Sequence, residues 1–191
     1  MSGSVPPQSL LDKVAVKLRE SAPLTSGSAA GSILALSGAQ YGSHQGEDDL
    51  TQPTGFDPQA AALFEAVVES AYLVANADGD FDAAERAAFE QVVLSACGGT
   101  VSEAQLRALL ADLADLLEED GPDKRAQMVA RTIARPEQAR EVLRVAALIA
   151  QVSEGVSDVE RKTLDRLAVE FRLPPGAVDA ALGDVERALE E

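Results

Sequence analysis

Apolar residues recur at spacings of three and four along most of the chain, the period of a helix with one buried face. From about residue 58 to 77, Phe64, Val67, Val68, Ala71, Val74 and Ala75 fall on one stripe and predict a first long helix. A second, over about 82–97, carries Ala88, Phe89, Val92 and Ala96 and is stopped by Gly98 and Gly99. The third starts at Ser102, which has capping-box spacing to Gln105. It lines up Leu106, Leu109, Leu110, Leu113 and Leu117 before Gly121-Pro122 ends it. A shorter helix follows over about 123–134. Pro136 opens a longer one that is apolar nearly all round from Val142 to Val152, apart from Arg144 and Gln151, and is therefore predicted to be central. Ser157 and Glu160 form another capping-box pair, ahead of a helix with Leu164, Leu167, Ala168 and Phe171. Pro174-Pro175 separates that helix from a last one with Val178, Ala181, Leu182, Val185 and Leu189. The pattern predicts an all-α fold, a compact bundle of about seven helices within residues 57–191.

The first 56 residues read differently. Leu11, Val14 and Leu18 share a face, which predicts a short amphipathic helix over 8–20 at the periphery. From Ser21 to about Gly55 the composition turns to Ser, Gly, Pro, Gln and Ala, and no period outlasts the small apolar patch Ile33, Leu34 and Leu36. Residues 1–56 are thus expected to be a flexible, separable segment of short helix and linker. The patch is expected to fold back on its own domain rather than anchor a partner.

Two stretches look alike. Ala71-Tyr72-Leu73-Val74-Ala75-Asn76-Ala77-Asp78-Gly79-Asp80-Phe81-Asp82-Ala83-Ala84-Glu85 and the run from Ala147 to Glu160 each combine an apolar helix end, a tight acidic Gly loop and a capped helix start. With one residue deleted from the second loop, Phe81 stands opposite Val156, Asp82 opposite Ser157 and Glu85 opposite Glu160. The bundle is therefore expected to contain two similar helical-hairpin units.

The first loop is the one motif with chemistry in it. Asn76, Asp78, Gly79 and Glu85 occupy positions 3, 5, 6 and 12 of a calcium loop of EF-hand type, and Phe81 takes the apolar eighth position. Converging carboxylate and amide oxygens suit a hard cation, so Asn76, Asp78, Asp80, Asp82 and Glu85 are the candidate ligands of a divalent ion, calcium or magnesium. Val74 stands where the template has its leading Asp, which weakens the site, and the second loop has Ser153-Glu154 in place of Asp78-Gly79. Helix termini explain much of the same pattern. Gly79 can end one helix, while Asp82 and Glu85 are an N-cap and its reciprocal partner, leaving only Asp78 and Asp80 unaccounted for.

The run from Leu73 through Ala77-Asp78-Gly79 to Glu85, with its echo about 75 residues later, resembles the TerB-like family named for tellurite resistance, which includes the N-terminal region of the DjlA co-chaperones. The resemblance covers roughly residues 57–190. It implies a compact all-α fold of two similar helical units, no known catalysis, and association with stress-response and metal-sensing assemblies near the membrane. It places the family's acidic loop on Asp78, Asp82 and Glu85.

Charge narrows the partners. With 16 basic and 32 acidic residues the chain carries a net charge of -16, which repels phosphate backbones and anionic bilayers, so nucleic acid is not expected. Residues 78–123 hold twelve acidic and two basic residues, whereas 124–172 hold seven and ten, with Arg125, Arg131, Arg135, Arg140 and Arg144 among the latter. Solvated helix faces and local pairing account for most such charges. One cysteine (Cys97) and one histidine (His44) cannot make a zinc site of the usual kind, and no nucleophile, phosphate loop or catalytic dyad is visible. A single cysteine fits a reducing compartment, and no transmembrane or signal segment is expected, which together point to the cytoplasm. The sequence therefore predicts a non-enzymatic protein-interaction module, with a cation-responsive sensor as the competing reading.

Overall fold

A computed structural model describes residues 6–19, 32–43, 57–79, 81–152 and 155–190, and every regular element among them is a helix. In chain order these are α1 (Gln8–Arg19), α2 (Ile33–Ser43), α3 (Pro58–Ala75), α4 (Ala83–Cys97), α5 (Glu103–Thr132), α6 (Pro136–Ala150), α7 (Asp158–Glu170) and α8 (Ala177–Glu190). α5 is broken at Gly121, whose φ of 75° and ψ of 163° are not helical, and Pro122 restarts the helix as a first-turn proline can. Its two arms are the separate helices that the periodicity predicts on either side of Gly121-Pro122.

α3 and α6 pack on each other at the centre. Their sequences require this position, because apolar side chains surround most of each helix. Phe64, Val67, Val68, Ala71, Leu73 and Val74 of α3, and Val142, Leu143 and every residue from Val145 to Ala150 of α6, are buried. Around this pair, α5 and α7 lie against α3, and α7 and α8 lie against α6. Fully burying an aliphatic side chain of this size contributes about 1.5–3 kcal/mol, so the central pair supplies much of the favourable free energy.

Two buried carboxylates break the apolar surround of these helices, and both are clamped by arginine. Glu69 of α3 accepts from Arg125 Nε at 2.6 Å and Arg125 Nη2 at 3.0 Å, a fork on both carboxylate oxygens. Arg125, just beyond the break in α5, also donates to Asp120 at 3.1 Å, so the buried pair fixes the second arm of α5 against α3. Glu141 of α6 takes the guanidinium of Arg144 from its own helix at 2.8 and 3.0 Å. Arg125 and Arg144, which the sequence places in the basic stretch 124–172, are therefore occupied inside the fold.

The N-terminal residues correct two expectations. α1 is not peripheral: Leu11, Val14, Ala15 and Leu18 are buried in the same core as α3 and α6, and α1 packs mainly on α4. The guanidinium of Arg19 reaches the Ser95 carbonyl, and Lys13 Nζ donates to the Leu189 carbonyl at 2.9 Å. Nor is the stretch read as linker without structure throughout, since residues 33–43 form α2, which packs on α3 and α4. The apolar patch does fold back on its own domain: Leu34 is buried, while Leu36 on the other face is half exposed.

Candidate functional site

The candidate loop begins where α3 ends. Asn76 closes the helix, its N–H donating to the Tyr72 carbonyl at 2.9 Å, and Gly79 turns the chain with φ of 82°. Phe81 then points inward, edge-on to Tyr72 and Phe89 with ring centroids 5.6 and 5.9 Å apart, and Arg86 lies over its ring. This aromatic contact pins the loop between the end of α3 and the start of α4.

Asp82 and Glu85 form a complete capping box. Asp82 Oδ1 accepts from the Ala84 and Glu85 amides at 2.7 and 2.9 Å, and the Asp82 N–H donates to Glu85 Oε2 at 3.0 Å. The second loop repeats the device at α7. Gly155 has φ of 96°, Glu160 N–H donates to Ser157 Oγ at 3.2 Å, and Ser157 N–H donates to Glu160 Oε2 at 2.8 Å. The helix-terminus explanation thus holds for Asp82 and Glu85, although in both boxes the glutamate commits only Oε2 to the backbone.

Folding brings the two loops to one end of the bundle. Glu160 is buried, and burial is the main cause that raises its carboxyl pKa above the ordinary glutamate range. The charges of Asp78 and Glu85, from the other loop, push it further up, against the hydrogen bonds from Ser157. Among the candidate ligands, Asn76 and Glu85 are half-buried and Asp78 is exposed, while Asp80 lies outside the described residues, as do Ser153 and Glu154 of the second loop. Among the described residues, no three carboxylate, histidine or cysteine side chains stand close enough to hold a metal ion. Val74 departs furthest from the EF-hand template. It is fully buried in the core instead of facing the loop, so the template's leading oxygen has no equivalent position here.

Sequence reasoning missed Glu160 as a member of this end. The signal was present in its alignment with Glu85, but Glu160 was read only as a cap. Cys97 was read as a small core residue and is one: burial pushes its thiol up to about 12, with Arg19 working in the opposite direction. Exposed basic side chains flank the start of α6 at Arg131, Arg135 and Arg140. No helix among the described residues is long and apolar enough to cross a membrane.

These features define a class: a helical bundle with two glycine loops, each leading into a capped helix, in which the first loop's carboxylates lie close enough to Glu160 of the second segment to act on its charge, while α3 and α4, unlike α6 and α7, do not pack as a hairpin. The family model described as tellurite resistance protein TerB matches residues 64–183, most of the chain from the first turns of α3 into α8. The chain belongs to the TerB family. Neither the curated proteins nor the solved structures offer a match to it. α1 and α2 precede the matched residues.

Proposed function

We propose that this chain is a cytoplasmic, non-catalytic TerB-type interaction module, at work in a stress-response or tellurite-resistance assembly. Its partners in this reading are proteins, with peripheral attachment to a membrane complex among the settings it fits. The observation that carries the reading is the meeting of the two loops, which sets Asp78, Glu85 and Glu160 against one another at one end of a strongly acidic molecule. Such an end suits a basic segment, whose cations would offset the charges of Asp78 and Glu85 that add to burial in opposing ionisation of Glu160. Affinity capture with wild-type protein and with an Asp78→Asn, Glu160→Gln double variant tests it. Loss of specific partners from the variant is expected, and identical capture by both proteins would overturn it.

A second reading, a divalent-cation sensor, draws on the same observation. Asp78 and the uncommitted Oε1 atoms of Glu85 and Glu160 would be drawn in by calcium or magnesium, with Asn76, Asp80 and Asp82 nearby in sequence. A ligand at a hundred times its Kd stabilises a folded protein by about 2.7 kcal/mol. Thermal melts with millimolar calcium or magnesium against chelator should then differ by several degrees, and coincident melts would remove the sensor reading.

A further inference from the structure

We infer that the outer face of α5 is a self-complementary docking surface, and that its occupant is the same face of a second copy of this chain, set antiparallel across a two-fold axis. This surface is separate from the paired loops and does not depend on them. The change of sign that the sequence shows after residue 123 falls at the break in α5. Before the break, Asp112, Asp115, Glu118 and Glu119 are exposed, and no basic residue stands between Arg107 and Lys124. Their spacings of three and four keep them on the outer side of the helix, since Leu106, Leu109, Leu110 and Leu113 occupy the inner one. Beyond the break, Arg131 and Arg135 are exposed, with Arg140 following on α6, and Glu137 is the one acidic residue from 124 to 140.

Local pairing accounts for other surface arginines. Arg107 holds Glu90 and Glu103, Arg161 holds Asp179, Arg166 holds Asp123 and Arg187 holds Asp184. The two arms of α5 are different. In a chain with two acidic residues for each basic one, Arg135 and Arg140 have no carboxylate partner among the described residues, and Arg131 donates only to the Met128 thioether at 3.4 Å. The four carboxylates of the first arm have no cation among the described residues either. A partner of one sign could satisfy one arm and would be repelled by the other. A second α5 laid antiparallel satisfies both, since each acidic arm meets the other copy's basic arm and every ion contact is made twice, as an isologous interface requires. Exposed Met128, with partly exposed Leu116 and Leu117, supplies apolar surface on either side of the break, where such an axis would pass. The net charge of -16 acts mostly through charges outside the contact, which physiological salt screens beyond about 8 Å.

Sedimentation equilibrium on the full chain tests this. The wild-type mass should rise with concentration towards twice that of the chain. Reversing the basic arm (Arg131→Glu with Arg135→Glu) or the acidic arm (Asp115→Lys with Glu118→Lys) should weaken self-association about tenfold or more, because like charges then face each other. All four positions are exposed, so each variant should keep its helix content and cooperative melt. An equimolar mixture of the two variants should form a one-to-one dimer, and a chain carrying all four substitutions should dimerise alone. Arg131→Gln with Arg135→Gln should lower association in the same direction, a readout that survives misfolding of a reversed chain. A wild type that stays monomeric at every concentration would overturn the inference in favour of a foreign partner or a solvated surface. A dimer that both reversals and the glutamine pair leave intact, or two folded monomeric variants that do not recombine, would overturn it as well.

Discussion

The two helix–loop–helix segments, α3 into α4 and α6 into α7, share the frame of their loops and differ in what they place on it, and whereas α7 folds back on α6, α4 turns away from α3 to pack on α1, α2 and α5. Both run a buried helix into a glycine of positive φ and then into a capping box whose glutamate bonds the N-cap amide. In the first, the cap is Asp82, an aromatic stack of Tyr72, Phe81 and Phe89 anchors the loop, and the buried Glu69 is clamped by Arg125 from 56 residues away. In the second, the cap is Ser157, Val156 takes the place of Phe81, and the buried Glu141 is clamped by Arg144 three residues along its own helix. The turn and cap are what the fold needs twice.

The largest effect that separates frame from chemistry is expected at Val74. An EF-hand reading makes Val74→Asp a gain of one ligand, whereas the structure makes it an isolated carboxylate inside the core. A loss of more than about 4 kcal/mol is expected in urea unfolding, with or without calcium. A variant as stable as wild type when calcium is present would show that the end of α3 does open towards the loop. Next in size is Arg125→Ala, which strands Glu69 and should cost about 3–5 kcal/mol in the same measurement. Adding Glu69→Gln should return part of that loss, because the stranded charge rather than the missing contact is the main penalty.

The order of these effects shows what the sequence could disclose. Periodicity disclosed the helices after residue 57, and the serine, aspartate and glycine at their ends disclosed the caps, because both signals are local. The pairing of Glu69 with Arg125 was invisible because nothing in either neighbourhood marks a contact 56 residues apart. α2 escaped for a different reason. Its Gly38 and Gly42 lie close against Cys97, Phe64 and Thr100, and a glycine pair in a Ser/Gly-rich stretch reads as a turn signal until the opposing backbone is known. The acidic loop was legible as acidic, but its neighbour across the gap, Glu160, was legible only as a cap.

A smaller effect tests whether the two caps are equivalent. Asp82→Ala and Ser157→Ala each remove an acceptor for the first amides of a helix and should each cost about 1 kcal/mol. Asp78→Ala, at an exposed position outside both boxes, should stay within about 0.5 kcal/mol in the absence of divalent ions. A cost at Asp78 equal to that at Asp82 in chelator-treated protein would mean that the loop depends on Asp78 structurally, and the division between frame and chemistry would fail.

The smallest effect is expected at Glu160, and its sign is the informative part. The folded protein holds the Glu160 proton more tightly than the unfolded chain does, because burial and the charges of Asp78 and Glu85 oppose ionisation. Its ionisation therefore lowers stability progressively as pH rises from the unfolded value, about 4.3, through the raised folded one. Asp120 acts in the opposite sense: hydrogen bonds from Lys124 and Arg125 hold it below the aspartate range, so its contribution is present above the unfolded value and lost as pH falls through the folded one. Glu160→Gln removes the first effect and leaves the second. The box should survive, since Gln105 fills the same role at α5 by accepting from the Ser102 amide at 2.9 Å. The variant should match wild type near pH 4, exceed it in melting temperature at pH 7, and show less decline in stability between those values. A stability difference that is constant with pH would assign the change to packing or capping, and the loops would then not meet as charges. If added calcium raises the wild-type melt and not that of Glu160→Gln, the repulsion between the two loops is what a cation relieves.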